Sequence, residues 1–152
     1  MSLVLPPHVV GLVCVLCGEE TVDPWQWSCR SCGPRGRMDV RYDPAELLRM
    51  GARLAERPFD MWRYREVLPI SDDMKLPPLV VGGSPVSESA RLAEWLGVAR
   101  AVVKDDGRNP SASMKDRASA LGVALAVASG MERIACASTG NAASSAACMA
   151  AS

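Results

Sequence analysis

Two Cys-x-x-Cys-Gly motifs near the N-terminus restrict the fold of this chain more than any other sequence feature. The four cysteines are Cys14, Cys17, Cys29 and Cys32. Four thiolates at this spacing can surround one tetrahedral ion, and the glycine after each pair lets the backbone turn back toward the sulfur atoms. Because all four ligands come from the protein, we expect a closed, structural site, with zinc as the favoured metal and iron as the competitor.

The motifs leave two other interpretations open, namely two disulfides or isolated structural thiols. Metal binding is favoured because no lysine or arginine precedes Arg30, so the N-terminus lacks the charge pattern of a secretory signal. We therefore expect a cytoplasmic protein. Between the motifs, the alternating Trp25 and Trp27 predict a short hairpin strand that covers the site.

The charge balance argues against nucleic acid as a partner. The 17 basic and 17 acidic residues give zero formal charge, whereas nucleic-acid-binding proteins usually carry a basic face. A zinc ribbon can also bind nucleic acid or protein, but Arg30, Arg35 and Arg37 are here interpreted as a solvated face. The longest apolar run, residues 118–128, is too short to cross a bilayer, so no membrane partner is predicted.

The rest of the chain predicts a small appendage followed by one modest domain. With 152 residues, of which 49% are hydrophobic, the chain can build a core of that size. We predict a zinc-ribbon lobe over residues 1–36, a connector over 37–78 and an α/β domain over 79–152. In the connector, residues 39–43 predict a strand and Asp43-Pro44 predicts a helix start, with Gly51 as a possible break.

The third segment alternates between strand and helix patterns. Strands are predicted at residues 79–81, 101–104 and 133–137, and helices at 87–96, 113–129 and 142–152. This order predicts that the second and third strands are parallel neighbours with a right-handed crossover, as in an open parallel α/β sheet. The loops that follow them then share the sheet edge where such folds bind ligands. Cys136 and Cys148 lie on apolar elements and are expected to be buried thiols.

The first of these loops, residues 109–117, contains an unusually placed lysine. Asn109-Pro110 enforces a turn, after which Ser111 and Ser113 can cap the next helix. Lys115 in a first helical turn opposes the helix dipole, and partial burial there would favour the neutral, nucleophilic amine. Taken alone, a surface lysine in a charged cluster is the other interpretation.

The second loop consists of Ser138, Thr139, Gly140 and Asn141. Unpaired N–H groups at a helix start attract anions and the hydroxyls add donors, so the α-carboxylate of an amino acid is the expected guest. Taken alone, the loop is more typical of an ordinary capped helix start. Its pairing with the lysine loop favours the binding function.

Residues 104–117 and 137–141 closely resemble the cofactor-lysine segment and the substrate-carboxylate loop of threonine synthases. These are fold-type-II pyridoxal-phosphate enzymes, the tryptophan synthase β-like group, and their N-termini also carry zinc ribbons. Residues 62–65 and 82–86 resemble two further segments of the family. The resemblance implies that Lys115 holds pyridoxal 5'-phosphate covalently, that Asn141 contacts the ring oxygen of the cofactor, and that residues 138–141 bind the substrate.

The resemblance also implies an activity. Threonine synthases are lyases of amino-acid biosynthesis that convert O-phosphohomoserine and water into threonine and phosphate. Phosphate leaves from the γ-carbon, water adds at the β-carbon, and Lys115 would act as the general base. We expect the protein to be a homo-oligomer, a dimer, with a small amino-acid substrate.

Several positions depart from the family pattern. Ala142 stands where threonine synthases carry a threonine, which leaves specificity for phosphohomoserine open. Ala112 replaces a glycine, Met114 a phenylalanine, and Ser84 and Ser111 replace threonines. A threonine or serine dehydratase, or a β-replacing enzyme of the same fold, is the alternative.

The glycine-rich phosphate loop and the partner of the cofactor's ring nitrogen are not found in the sequence, and the last helix pattern has no stop signal. We therefore expect the front part of a longer enzyme. A zinc-ribbon binding module or an inactive fragment is the non-enzyme alternative.

Overall fold

The computed structural model describes residues 4–152, apart from the side chain of Ala52. These residues divide into two compact units: 4–58, 62–75 and 127–130 in the first, and 59–61, 76–126 and 131–152 in the second. Residues 1–3 of the predicted zinc-ribbon lobe lie outside the described part. The division into lobe, connector and catalytic segment stays a prediction.

The first unit is built on an antiparallel sheet. Its strands are β1 (Val9–Cys14), β2 (Glu20–Thr21), β3 (Ser28–Cys29) and β4 (Gly33–Tyr42), in the order β2-β1-β4-β3. Strand β4 contains most of the predicted 39–43 strand. Cys14 lies opposite Met38, and Ser28 lies opposite Arg37, so β4 brings β1 and β3 together at the end where their cysteines lie.

The hairpin strand predicted at Trp25 and Trp27 is absent. Asp23 accepts a hydrogen bond from the Trp25 N–H at 3.0 Å, and the Trp27 N–H donates to the Trp25 carbonyl at 3.0 Å. The aspartate therefore folds this segment into a turn, which competes with strand pairing. The indoles contact each other edge to face at 6.1 Å, and Trp27 remains 63% exposed.

Helix α1 (Pro44–Arg53) begins where the sequence predicts. The Asp43 side chain accepts the Ala45 N–H at 2.8 Å, and Pro44 occupies the first turn. Gly51 does not interrupt the helix. Two 3₁₀ helices follow, Leu54–Glu56 and Met61–Val67, the second kinked at Tyr64.

The second unit contains two short antiparallel strands and three α-helices. Strands β5 (Val86–Glu88) and β6 (Val102–Lys104) pair with each other, and helix α2 (Ala90–Leu96) lies between them in sequence. Helix α2 ends at Gly97, whose φ of 66° is the left-handed conformation predicted for the glycine that ends it. It begins later than predicted because residues 86–88 form β5.

A 3₁₀ turn (Asp106–Arg108) precedes helix α3 (Lys115–Ala128), and helix α4 (Asn141–Ala150) follows. Buried apolar side chains of this unit are Met61, Val81, Ala93, Ala120, Val123, Ala124, Ala126 and Met149. Within residues 4–152, the helices are too short or too polar to cross a bilayer.

The α/β class is confirmed, but the predicted parallel strand pair is not formed. Residues 133–137 contain no strand and are exposed, and among the described residues β6 pairs only with the antiparallel β5. A strand needs a neighbour for its N–H and C=O groups, and residues 4–152 supply none to 133–137. Cys136 is consequently exposed and Cys148 half-buried, so the predicted burial of the Cys136 thiol is wrong.

The strand predicted at residues 79–81 is also absent. The Val81 carbonyl accepts the Met61 N–H at 2.7 Å, and the next N–H, of Gly82, donates to the Asn109 side chain at 2.9 Å. These backbone groups are therefore bonded to a 3₁₀ helix and a side chain, which leaves them unavailable to a sheet.

Candidate functional site

The four cysteines of the paired motifs converge in the first unit. The sulfur atoms of Cys14, Cys17, Cys29 and Cys32 all lie within 4.8 Å of one another. A tetrahedral zinc with bonds of about 2.3 Å places its sulfur ligands about 3.8 Å apart, so this set fits such an ion. All four are free thiols, and Gly18 and Gly33 have positive φ values of 78° and 62°, as expected for the turns after each pair.

The surroundings of the thiols favour the thiolate at Cys14 and disfavour it at Cys32. Hydrogen bonds from the backbone of Cys17 and Leu16 lower the pKa of Cys14 to about 7. A hydrogen bond with Cys17, followed by burial, raises the pKa of Cys32 to about 12. A bound metal replaces the remaining protons, since it requires deprotonated sulfur.

Two residues of the cysteine cluster were missed by sequence reasoning. A Cβ at Gly36 would lie 2.6 Å from the Cys32 Cβ and 2.8 Å from the Cys29 Cβ, so the cluster needs a residue without a side chain there. The Glu19 carboxylate accepts the Ser31 hydroxyl at 2.5 Å and the Cys29 thiol at 3.4 Å. The only sequence signal for Gly36 was that a further glycine follows the one that ends the second motif.

In the second unit, the lysine loop is held by a buried asparagine. Asn109 Oδ1 accepts the Gly82 N–H at 2.9 Å, and its Nδ2 donates to the Asp106 carbonyl at 2.8 Å. The side chain is 5% exposed. Asn109 therefore fastens the Gly82-Gly83 turn to the loop, a role that the turn-forming Asn-Pro pair did not reveal.

The Gly82-Gly83 turn can be occupied only by glycine. Both residues have positive φ values, and a Cβ on Gly83 would lie 2.0 Å from the Phe59 carbonyl oxygen. A Cβ on Gly82 would lie 2.8 Å from the Met61 nitrogen. This close backbone approach gives a physical reason for both glycines of the 82–86 motif.

Arg117 is paired and does not act as a free cation beside Lys115. Its guanidinium donates to Asp106 Oδ1 at 2.8 Å and to the Ser84 hydroxyl at 3.1 Å. The hydrogen bonds from Arg117 and Ser84 lower the pKa of Asp106 to about 2. Arg117, like Lys115, is a cation in the first turn of α3, where the helix dipole disfavours positive charge, and its pairing with Asp106 offsets that cost.

Lys115 is the first residue of α3. The Ser113 hydroxyl accepts the Lys115 N–H at 3.1 Å, so the predicted Ser113 cap is present, whereas Ser111 donates to Asp116 instead. The Lys115 side chain is exposed, and the expected partial burial is not seen. An exposed amine at a helix start is accessible to an aldehyde cofactor, so the residue present fits that group.

Asn141 is correspondingly the first residue of α4. The Gly140 N–H donates to the Ser138 hydroxyl at 3.2 Å, and no side chain caps the helix. Within the described residues, no acceptor takes the N–H groups of Asn141 and Ala142. This loop retains open donors for an anion, with Thr139 and Asn141 exposed beside them.

Comparison with known proteins first defines the class. Residues 78–152 match the family model described as pyridoxal-phosphate dependent enzyme, so this part of the chain is similar to that family. No solved structure matches the chain.

The relatives are more specific. The chain is 37% identical over 131 residues to threonine synthase of Methanocaldococcus jannaschii, covering 84% of this chain and 32% of that protein. It is 36% identical over 133 residues to threonine synthase of Methanosarcina acetivorans, covering 86% of this chain and 31% of that protein. It is 42% identical over 88 residues to threonine synthase of Mycobacterium leprae, covering 58% of this chain and 24% of that protein.

The chain thus spans about a third of the length of the first two curated relatives, by the shares of 32% and 31%. The resemblance indicated by the motifs is confirmed: the chain is threonine synthase-like.

Proposed function

We propose that this chain carries the lysine and substrate loops of a pyridoxal-phosphate-dependent threonine synthase. The observation that carries the proposal is the similarity to threonine synthases over 84% of the chain. Both loops lie within residues 78–152, the part that matches the family model of pyridoxal-phosphate dependent enzymes. The helix starts at Lys115 and Asn141 support it, since each places a chemically suitable side chain in solvent at a helix N-terminus.

Each residue has a proposed task. Lys115 binds the cofactor and then moves the proton at the substrate Cα, while the cofactor ring supplies the electron sink when bound. Ser138, Thr139 and Gly140 bind the substrate carboxylate with hydroxyl and N–H donors. Asn141 adds an amide to that cradle and orients the cofactor through its ring oxygen.

The proposed substrate is O-phosphohomoserine, with threonine and phosphate as products. Ala142 offers no hydroxyl to a substrate phosphate, and this observation keeps a second candidate, a threonine or serine dehydratase or a β-replacing enzyme. Product analysis separates the two: threonine and phosphate from O-phosphohomoserine support the first, and a keto acid from threonine or serine supports the second.

A lysine comparison tests the catalytic assignment. Lys115→Ala is expected to abolish product formation while the protein stays folded, because the side chain is exposed. Lys75→Ala removes another exposed lysine outside the two loops and should retain activity. Equal activity of both variants would overturn the role of Lys115, and a zinc-binding protein without enzymatic turnover in any variant would support the binding-module alternative.

We further propose that the cysteine cluster holds a structural zinc, as a zinc ribbon. The supporting observation is that four thiols lie close enough to bind one ion. Four ligands complete the tetrahedral coordination of a structural zinc. A fold-type-II open parallel sheet, a homodimer and a cytoplasmic location complete the proposal. Such a sheet requires neighbours for β6 and residues 133–137 beyond those that residues 4–152 supply.

A further inference from the structure

Asp116 is a buried charged residue that the proposed reaction does not use. It directly follows Lys115 in the first turn of α3 and has no solvent exposure. Its Oδ2 accepts the Ser111 N–H at 2.7 Å, and its Oδ1 accepts the Ser111 hydroxyl. The carboxylate thus closes a ring from the middle of the lysine loop to the helix start that holds Lys115.

The Asp116 carboxylate keeps its negative charge despite its burial. Burial raises the pKa of the Asp116 carboxyl, but the hydrogen bonds from Ser111, together with the nearby Ser145 hydroxyl, outweigh it and leave the pKa below its ordinary value. Bonds to an ionised acceptor are stronger than neutral ones. The negative charge also lies in the first turn of a helix, where the dipole favours it.

Ser145 connects this carboxylate to the second loop. It lies on α4, has no solvent exposure, and faces Asp116 without making a hydrogen bond of standard geometry to any described residue. Ser145 follows Asn141 by four positions, so the two occupy one face of α4 in adjacent turns. Ser145 therefore places the helix that begins at Asn141 close to the Asp116 carboxylate.

We propose that Asp116 is a positioning residue that fixes the lysine loop to the first turn of α3, which begins at Lys115. This inference rests on the proposed function, because it concerns the site in which Lys115 would bind the cofactor. Lys115 lies one peptide bond from the carboxylate residue and cannot shift without moving the ring.

The experiment compares three single variants of the full chain. Asp116→Asn removes the charge with little change of shape, Ser111→Ala removes one hydrogen bond and keeps the carboxylate, and Glu94→Gln removes an exposed carboxylate on α2 as the matched control. Two quantities are measured: the affinity for pyridoxal phosphate, by borohydride reduction and peptide mapping at Lys115, and hydrogen exchange of the Ser111 amide. The folded fraction of each variant is determined by circular dichroism.

We expect Asp116→Asn to weaken cofactor capture at Lys115 about tenfold and to speed exchange of the Ser111 amide about tenfold, since bonds to a charged acceptor are lost. Ser111→Ala should show a smaller effect of the same sign, and Glu94→Gln none. A purely structural role lowers the folded fraction and leaves the affinity of the folded molecules unchanged.

A folded Asp116→Asn protein with unaltered affinity and unaltered exchange would overturn the inference. If that variant does not fold, Ser111→Ala decides by the same two measurements. If the unsubstituted protein captures no cofactor at Lys115, the proposed function fails. The exchange of the Ser111 amide then decides whether Asp116 fixes the loop.

Discussion

The cysteine cluster and the lysine loop use their buried residues differently. In the cluster, the residues that would carry the chemistry are themselves at the centre, with Cys14 and Cys29 buried and all four sulfur atoms close together. In the lysine loop, the buried residues are Asn109, Ser113 and Asp116, while Lys115 is exposed. The cluster buries two of its four ligands, Cys14 and Cys29, whereas the loop buries only its framework.

The difference follows from where the parts of each site lie in the sequence. Neighbouring antiparallel strands bring residues 14–32 together through local pairing, so the cluster is complete within the first unit. The lysine loop is fastened by contacts such as Gly82 to Asn109, which are distant in sequence and leave the reactive side chain at the surface. A structural metal site needs closure, whereas a catalytic lysine needs access to ligand.

The largest expected effect concerns removal of a cluster ligand. Cys29→Ser should abolish zinc binding and unfold the sheet of the first unit, since structural zinc contributes on the order of 10 kcal/mol in small domains. Zinc content by atomic emission and unfolding by circular dichroism measure it. Cys136→Ser, an exposed cysteine outside the cluster, is the control, and identical metal content in both variants would contradict a buried-ligand site.

A substitution at Gly36 should also disturb zinc binding, although it leaves all four thiols in place. Gly36→Ala should displace Cys29 and Cys32 and cost about 1–3 kcal/mol by overpacking. Gly51→Ala is matched to it, because a Cβ there meets nothing within 4 Å and should stabilise α1 by about 0.5–1 kcal/mol. Unchanged zinc affinity in Gly36→Ala would show that the cluster tolerates the added carbon.

Two asparagines of the second unit are expected to differ in role, Asn109 in holding the loop and Asn141 in binding the cofactor. Asn109→Ala should lower the free energy of unfolding by about 2 kcal/mol, because the half-buried Gly82 N–H loses its acceptor. Asn141→Ala should change stability by less than about 0.5 kcal/mol and weaken cofactor binding instead, since Asn141 is exposed. Urea denaturation measures the free energy of unfolding of both variants. Equal losses of stability would contradict the assignment of Asn109 to the framework and Asn141 to the binding site.

Acid should weaken the framework of the lysine loop. The folded-state pKa of Asp106 is about 2, below its ordinary value of 3.8, so its ionised form stabilises the fold above pH 4. That contribution is lost as the pH falls from about 4 to about 2, where the carboxylate takes up a proton and releases Arg117. Asp106→Asn should flatten the decline of stability over this window, and a decline as steep as in the parent protein would contradict the pairing.

The smallest effect concerns the backbone of the lysine loop. Ala112 has a φ of 57°, in the left-handed region where glycine is favoured, at a position that resembles a glycine of the family motif. Ala112→Gly should therefore stabilise the protein by up to about 1 kcal/mol, despite the entropy of glycine in the unfolded chain. Ala118→Gly, within α3, should destabilise it by about 0.5–1 kcal/mol, and thermal denaturation that moves both variants in one direction would refute the strain at Ala112.

Local signals in the sequence predicted the helices better than the strands. Asp43-Pro44 starts α1, and Gly97 ends α2, because capping chemistry is contained within a few neighbouring residues. The strands predicted at 79–81 and 133–137 are absent, because an apolar run forms a strand only when another segment accepts its hydrogen bonds. Periodicity alone does not reveal that partner.

The candidate site shows the same division. Spacing was sufficient to predict that the four cysteines converge, and similarity to threonine synthases supports the lysine segment. Glu19 and Asn109 were not predicted in these roles, because their partners Cys29 and Gly82 are distant in sequence. The partners of Gly36 and Asp116 are nearer, but the contacts depend on backbone conformations that the residue types do not reveal.

The most direct test of the account is the identity of the residue that captures pyridoxal phosphate. The purified protein is incubated with the cofactor, reduced with borohydride, digested, and mapped by mass spectrometry. We expect one modified peptide, labelled at Lys115 and lost in Lys115→Ala. Labelling spread over surface lysines such as Lys75 and Lys104, undiminished in that variant, would contradict it.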